Sequence, residues 1–188
     1  MASINRIVMA KACRTLVRQL EPETLDVAEI SGKFGANFSF RSYDQYWFPE
    51  YDICKAPLID ANGSQKLYDL IIADQVWEHL DRPYLATQHI RQSLRPGGYF
   101  LVAVPFFVPL HAAPHDCTRW SARGLKNFLI ECGFAEENIL SEQWGNRWAG
   151  VRNVVGPFPP VYQPETDKLE NEDDFPITTW ALAQKEQL

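Results

Sequence analysis

Residues 66–107, KLYDLIIADQVWEHLDRPYLATQHIRQSLRPGGYFLVAVPFF, contain the pattern that decides the fold. Two continuous apolar runs, residues 70–72 and 101–104, are typical of strands that are covered on both faces. Between them, apolar residues recur at every fourth position from Ala86 to Leu94 and predict a helix with one buried face. The stretch therefore predicts one strand–helix–strand unit of a doubly wound, mostly parallel α/β sheet.

The ends of this helix also carry recognisable signals. Asp81 is the expected N-cap, and Pro83 suits the first helical turn. Residues 95–98, Arg-Pro-Gly-Gly, should stop the helix and turn the chain into the next strand.

Polar residues cluster where the first of the two strands ends: Asp74, Gln75, Glu78 and His79. In open α/β sheets, ligands bind in the crevice at the carboxyl ends of the strands. The cluster therefore predicts a binding site.

The rest of the chain supplies further elements. We expect helices at residues 4–20 and from Ser121 to about Gly133, and strands at residues 25–30, 39–43, 51–54 and 138–144. The helix between the first two strands should be short or missing, because residues 36–58 are aromatic-rich and lack helical periodicity. Residues 145–175 are rich in glycine, proline and acidic residues, which predicts a long loop or lid.

Length and composition limit the function classes. A chain of 188 residues with 46% hydrophobic content suits one domain with a single core. The net charge of −6 and the lack of a basic block argue against nucleic acid or an anionic membrane as main partner. No membrane span or signal peptide is expected. The four cysteines lack paired spacing and predict reduced thiols in a cytoplasmic protein.

The motif YDLIIADQVWEHL…LRPGGYFLVAVPF resembles the second half of class I S-adenosylmethionine-dependent methyltransferases, in particular the small type 11-like group. The later segments PHDCTRWSARGLKNFLIECGF and DFPITTWALAQK resemble that group's downstream region and last strand, and DVAEISGKFG occupies its nucleotide-loop position. The resemblance implies a Rossmann-like sheet with an antiparallel last strand. It covers roughly residues 25–140. Together with the patterns above, we expect one methyltransferase domain over residues 1–188, with an N-terminal helix in residues 1–22 and a long loop or lid at residues 145–175.

The resemblance implies S-adenosylmethionine as cofactor and S-adenosylhomocysteine as product. In the loop, Ser31 and Lys33 stand at two positions where the family has glycine, and Gly35 is retained. Lys33 could pair with the cofactor carboxylate. The expected cofactor-binding residues are Glu29, Ser31, Gly32, Lys33, Gly35, Asp52, Ile53, Asp74 and Gln75.

Three histidines are candidates for acid–base or positioning work, because the imidazole pKa lies near neutrality. We rank His115 first and His111 second, after the second apolar strand, and add His79. Asp116 and Arg119 are expected to pair and fix their loop. His111, His115 and Asp116 could also be read as metal ligands, but the family does not require a metal, and we expect none.

The function predicted is methyl transfer to an oxygen or nitrogen of a small-molecule acceptor. The altered glycine pattern keeps a second hypothesis open, a non-catalytic binding or regulatory subunit. A nicotinamide-dependent enzyme is disfavoured, because residues 31–35 do not fit the G-x-G-x-x-G pattern. The acceptor and the oligomeric state are not predicted by the sequence.

Overall fold

The computed structural model describes residues 2–60, 62–112 and 114–187. Its strands are β1 (Asp26–Ile30), β2 (Ser42–Tyr46), β3 (Tyr68–Asp74), β4 (Leu94–Pro105), β5 (Ile139–Trp144) and β6 (Thr178–Gln184). They form one six-stranded sheet in the order β2–β1–β3–β4–β6–β5. The β1–β2, β1–β3 and β3–β4 pairs are parallel, whereas β6 is antiparallel to both β4 and β5. This arrangement confirms the predicted mostly parallel sheet with an antiparallel last strand.

The helices are α1 (Ile4–Gln19), α2 (Pro83–Ser93), α3 (Ala122–Glu131) and α4 (Arg147–Val155). Buried residues of α1 and α4 pack on one face of the sheet, and those of α2 and α3 pack on the other. The sheet is thus the middle of three layers, which explains why β3 and β4 are apolar on both faces. None of the helices described is long and apolar enough to cross a membrane.

The predicted buried faces of α2 and α3 are confirmed. Ala86 and Ile90 are fully buried, and Leu94 continues their line as the first residue of β4. In α3, Leu125 and Leu129 are fully buried, and the Ser121 side chain caps the helix by accepting from the Gly124 N–H. Between β1 and β2 there is only a short 3-10 turn at Gly35–Asn37, as expected.

The buried line of α1 differs from the one that its sequence suggests. Ile4 is buried as the sequence suggests, but Val8, Ala12 and Leu16 on the same line are only partly covered. Met9, Cys13 and Val17 are buried instead. Both lines have the same spacing and are adjacent on the helix, so periodicity alone does not distinguish them.

The strand predicted at residues 51–54 is wrong, because Ile53, Cys54 and Lys55 form a turn. The Asp52 side chain accepts from the Cys54 N–H at 3.0 Å, which favours a turn over a strand. The strand predicted at residues 39–43 forms three residues later, as β2.

Two further details correct the predicted boundaries around α2. The N-cap is Arg82 rather than Asp81, no side chain caps the helix, and Pro83 occupies the first turn. The Arg-Pro-Gly-Gly segment does not separate helix from strand, because β4 begins at Leu94, directly after the helix.

The predicted loop at residues 145–175 contains a helix, α4. Asn146 caps α4 by accepting from the Ala149 N–H at 2.8 Å, and its amide donates to the carbonyls of Lys168 and Glu170. Arg152 forms an ion pair with the buried Asp167. Buried polar contacts between α4 and later residues of the segment 145–175 therefore hold the segment together.

Candidate active site

A cavity of about 780 Å³ lies at the carboxyl ends of β3 and β4, the position that the sheet topology favours for a ligand. One wall is α1 and another is residues 33–34 of the loop after β1. Asp74 and Gln75 form the end of β3 in this cavity, and His111 lies on the side that follows β4. The cavity brings together four of the predicted site residues: Lys33, Asp74, Gln75 and His111.

Glu29 lies at the end of β1 and turns into the protein. Its carboxylate accepts hydrogen bonds from the Phe34 and Gly35 N–H groups, both at 2.7 Å, and from the Tyr43 hydroxyl at 2.5 Å. Burial raises the pKa of Glu29, and these three donors oppose the shift. Glu29 does not line the cavity; it holds the loop that does.

The loop turns in a way that ordinary side chains rarely allow. Ser31 has a φ of +47°, in the left-handed region that favours glycine. Its N–H donates to the Tyr46 carbonyl at 2.8 Å, and its hydroxyl accepts from the Phe48 N–H at 3.1 Å. Ser31 therefore adopts a backbone conformation to which the family's glycine is better suited. The hydrogen bonds of its N–H and its hydroxyl hold it there.

Gly32 and Gly35 of the loop are required because a side chain at either position would collide with its neighbours, not because of their backbone conformation. A Cβ on Gly32 would lie 2.1 Å from Glu29 Oε1, and a Cβ on Gly35 would lie 2.6 Å from the Tyr43 ring. Ser31, Gly32 and Gly35 thus shape the loop, and Lys33 is the predicted loop residue that reaches the cavity.

Asp74 presents one free carboxylate oxygen. Its Oδ2 accepts from Arg6 at 2.9 Å, whereas Oδ1 is buried and has no hydrogen-bond partner among the residues that the structure describes. Burial raises the pKa of Asp74, and the Arg6 guanidinium acts against that shift. A buried carboxylate oxygen in this state is suited to a cationic ligand group.

Gln75 is held by its backbone. It has a φ of +60°, its N–H donates to the Ala103 carbonyl at 2.8 Å, and its side-chain amide lies 3.6 Å from the Met9 sulfur. This geometry keeps Gln75 at the point where β3 ends.

Asp52 and Ile53 are placed away from the cavity. Asp52 closes the turn described above, and Ile53 is buried in the core on the α2–α3 face. Asp44, the acid on β2, forms an ion pair with Lys66 and accepts from the Tyr68 hydroxyl at 2.8 Å. The structure thus gives none of these three residues a place in the cavity.

The three candidate histidines occupy different environments. His111 lines the cavity, whereas His79 is mostly buried beside it, with the two rings 5.1 Å apart. The His115 side chain is exposed, and it is its carbonyl oxygen that contacts the His79 Nδ1, at 2.5 Å. Position therefore favours His111 over His115.

The predicted pair of Asp116 and Arg119 is confirmed, with one Nη–Oδ distance of 2.6 Å. The same carboxylate accepts from the His111 N–H at 2.8 Å. The Arg119 guanidinium lowers the pKa of Asp116 to about 2. The pair fixes the loop that carries His111.

Two groups of cavity residues were not predicted from the sequence. α1 covers the cavity with Arg6, Lys11 and Arg14, and residues 158–161 close another side with Phe158 and Val161. The eight-residue spacing of Arg6 and Arg14 in a predicted helix was the available signal for the first group. The residues that line this cavity do not include Trp144, Trp148, Arg152 and Tyr162.

The structure resembles solved S-adenosylmethionine-dependent methyltransferases. An enzyme of that description from Mesorhizobium loti has 15% identity and a TM-score of 0.58, over 97% of this chain and 100% of the other. A possible histamine N-methyltransferase from Thermotoga maritima has 12% identity and a TM-score of 0.62, over 97% and 92%. The 1,6-didemethyltoxoflavin-N1-methyltransferase of Burkholderia thailandensis, solved with its acceptor and S-adenosylhomocysteine, has 13% identity and a TM-score of 0.60, over 98% and 79%. At these identities the likeness establishes the fold.

No curated protein matches the chain by sequence. The model of a family described as a methyltransferase domain matches residues 9–157, which is most of the chain. The match includes the loop after β1, the strand–helix–strand unit and the histidine-bearing segment. The chain therefore belongs to the methyltransferase domain family and has the fold of class I methyltransferases.

Proposed function

We propose that the protein transfers a methyl group from S-adenosylmethionine to an oxygen or nitrogen of a small-molecule acceptor bound in the cavity. The observation that carries the proposal is Asp74, a carboxylate that lines a cavity of about 780 Å³ and whose buried Oδ1 has no hydrogen-bond partner in the described part of the chain. That volume lies within the roughly 300–1,000 Å³ typical of small-molecule and cofactor sites.

The residues around the cavity fit the methionyl part of the cofactor. Asp74 Oδ1 would accept from the ammonium group, and the cations of Lys33 and Arg14 would receive the carboxylate. Gly32 and Gly35 let the loop pack closely on Glu29, which sets the path of the backbone beside that cavity. Bound there, S-adenosylmethionine supplies an electrophilic methyl group on a sulfonium centre.

The protein's own residues contribute by holding and orienting the methyl donor and the acceptor. Methyl transfer is favoured when donor and acceptor are kept in a near-attack arrangement, and the walls formed by α1 and residues 158–161 can exclude water from it. Among the histidines, His111 lines the cavity. Its Nε2 is the atom that would take the acceptor's proton.

Calorimetric titration with S-adenosylhomocysteine tests the cofactor site first. We expect micromolar binding that nicotinamide dinucleotides do not compete for. Transfer of label from methyl-labelled S-adenosylmethionine to a panel of hydroxyl- and amine-bearing acceptors then tests the reaction. Binding without transfer to any acceptor, or no binding at millimolar ligand, would favour the non-catalytic subunit instead.

Cytoplasmic location belongs to the same proposal. Its support is that all four cysteines are free thiols, two of them buried, as is usual for a chain from a reducing compartment. Fractionation of cells that produce the protein tests this location.

A further inference from the structure

Glu78 is a buried carboxylate whose partners are missing. Its side chain has no exposed surface, and neither carboxylate oxygen has a hydrogen-bond partner among the described residues. Nearly all buried polar groups in folded proteins are satisfied, and an uncompensated buried carboxylate is costly. The position of Glu78 therefore requires an explanation.

Two imidazoles face this carboxylate. His79 Nε2 lies 3.5 Å and His111 Nε2 lies 3.9 Å from Glu78 Oε1. One ligand atom from each of the three residues lies within 4.8 Å of the others. Donor atoms that bind one ion at roughly 2.1 Å are themselves separated by about 3–4 Å, so the three side chains need only small adjustments to share an ion.

The other ring nitrogen of each histidine is turned to an oxygen. His79 Nδ1 is 2.5 Å from the His115 carbonyl, and His111 Nδ1 is 3.3 Å from the Pro109 carbonyl and 3.4 Å from Asp116 Oδ2. A proton on Nδ1 satisfies these oxygens and leaves the Nε2 lone pair directed toward Glu78. Metal-binding histidines are held in this way by their outer partners.

We propose that Glu78, His79 and His111 bind a divalent transition-metal ion. Two imidazole nitrogens and one carboxylate are a ligand set found for Zn²⁺ and for non-haem Fe²⁺. Three protein ligands leave at least one coordination position open, as in catalytic rather than structural sites.

The open position gives the ion a role toward the acceptor. His111 belongs both to this ligand set and to the wall of the cavity, so an ion on its Nε2 lies at the border of the cavity. Such an ion would hold an oxygen-bearing acceptor, in place of the base role that His111 has without metal. This role rests on the proposed methyl transfer, whereas metal binding does not.

Titration of the chelator-treated, full-length protein with Zn²⁺ tests the site without cofactor or acceptor. We expect one ion per chain, a higher melting temperature with Zn²⁺, and visible absorption bands when Co²⁺ is used. Glu78→Gln and His111→Ala should each weaken Zn²⁺ binding at least 100-fold while the far-ultraviolet circular dichroism is unchanged.

Matched variants separate the site from adventitious binding. His89→Gln removes a histidine outside the cluster, and Cys117→Ser removes the exposed thiol beside His79, so each should change the Zn²⁺ affinity by less than twofold. Parallel titration with Fe²⁺ under anaerobic conditions identifies the preferred ion. The proposal is overturned if no ion binds below 1 mM, or if Glu78→Gln and His111→Ala bind Zn²⁺ as tightly as the original protein. Neither result bears on S-adenosylhomocysteine binding, which tests the proposed function separately.

Discussion

Gly32 leaves the space that the carboxylate of Glu29 occupies: a Cβ on Gly32 would lie 2.1 Å from Glu29 Oε1. That oxygen accepts from the Phe34 N–H at 2.7 Å, so it cannot move away without losing a buried hydrogen bond. The packing of one glycine against one acid therefore determines the shape of the loop that borders the cavity.

Gly32→Ala should lower the free energy of unfolding by about 1–3 kcal/mol, because the added methyl group overpacks a buried site. Urea unfolding measures the loss. Gly156→Ala is the matched control, since a Cβ there meets nothing within 4 Å, and it should change stability by less than about 0.5 kcal/mol. In a Glu29→Ala background the cost of Gly32→Ala should shrink; equal costs in both backgrounds would contradict the contact.

Asp74→Asn should weaken S-adenosylhomocysteine binding about tenfold or more, because a charged hydrogen bond to the ligand ammonium is lost, and such bonds contribute about 1.5–3 kcal/mol. Calorimetric titration measures the change. The same substitution also removes the ion pair with Arg6, so a second variant is needed.

Arg6→Ala breaks that ion pair and leaves the Asp74 carboxylate intact. We expect it to change S-adenosylhomocysteine affinity less than Asp74→Asn does, since the negative charge of Asp74 at the cavity is kept. If both variants weaken binding equally, the ion pair rather than the free oxygen is what the cofactor site needs.

The stability of the protein at low pH depends on the hydrogen bonds that Asp26 accepts from its neighbours. It accepts from Arg41 at 2.6 Å, from Ser42 at 2.8 Å and from Arg95 at 3.0 Å. The Arg41 hydrogen bond is the main reason why the pKa of Asp26 lies well below its usual range. A carboxyl with a lowered folded-state pKa stabilises fully above its unfolded value, about 4, and loses that contribution as the pH falls toward the folded value.

Asp26→Asn should therefore lower the free energy of unfolding by on the order of 1 kcal/mol at pH 7, allowing for solvent screening of a partly exposed network. The difference in the free energy of unfolding between Asp26→Asn and the original protein should narrow as the pH falls from 5 to 3. Urea unfolding across this range provides the measurement, with the exposed Glu165→Gln as control. A gap that stays constant with pH would show that Asp26 contributes by packing alone.

Asn146 should contribute more to the free energy of unfolding than an ordinary helix-capping residue does. Ser121 makes one capping hydrogen bond, whereas Asn146 accepts one and donates two to the carbonyls of Lys168 and Glu170. Asn146→Ala should cost about 2–3 kcal/mol and Ser121→Ala about 1 kcal/mol in urea unfolding.

Asn146→Ala should also speed proteolysis within residues 157–174, because two of its hydrogen bonds hold that stretch against α4. Ser121→Ala should leave the cleavage rate in this stretch unchanged. Equal cleavage in the two variants would mean that the segment is held by other contacts, such as the pair of Arg152 and Asp167.

Much of the fold is predictable from the sequence because its signals are local. The apolar runs of β3 and β4, the stripe of α2 and the cap and stripe of α3 each lie within one element. The placement of Asp74 and Gln75 at a strand end also follows from the strand itself. The strand predicted at residues 51–54 was wrong, because Tyr51, Ile53 and Cys54 pack on the core from a turn as well as they would from a strand.

α4 could not be predicted, since its valines at 151, 154 and 155 are exposed and its stability comes from contacts with residues far along the chain. The candidate site depends on such contacts even more. The sequence by itself determined the strand–helix–strand unit of β3, α2 and β4, and the acidic and amide groups at the end of β3. Only the tertiary structure decided that α1 covers the cavity with Arg6, and that His111 meets Glu78 and His79, because these approaches depend on how separate elements pack rather than on the spacing within any one of them.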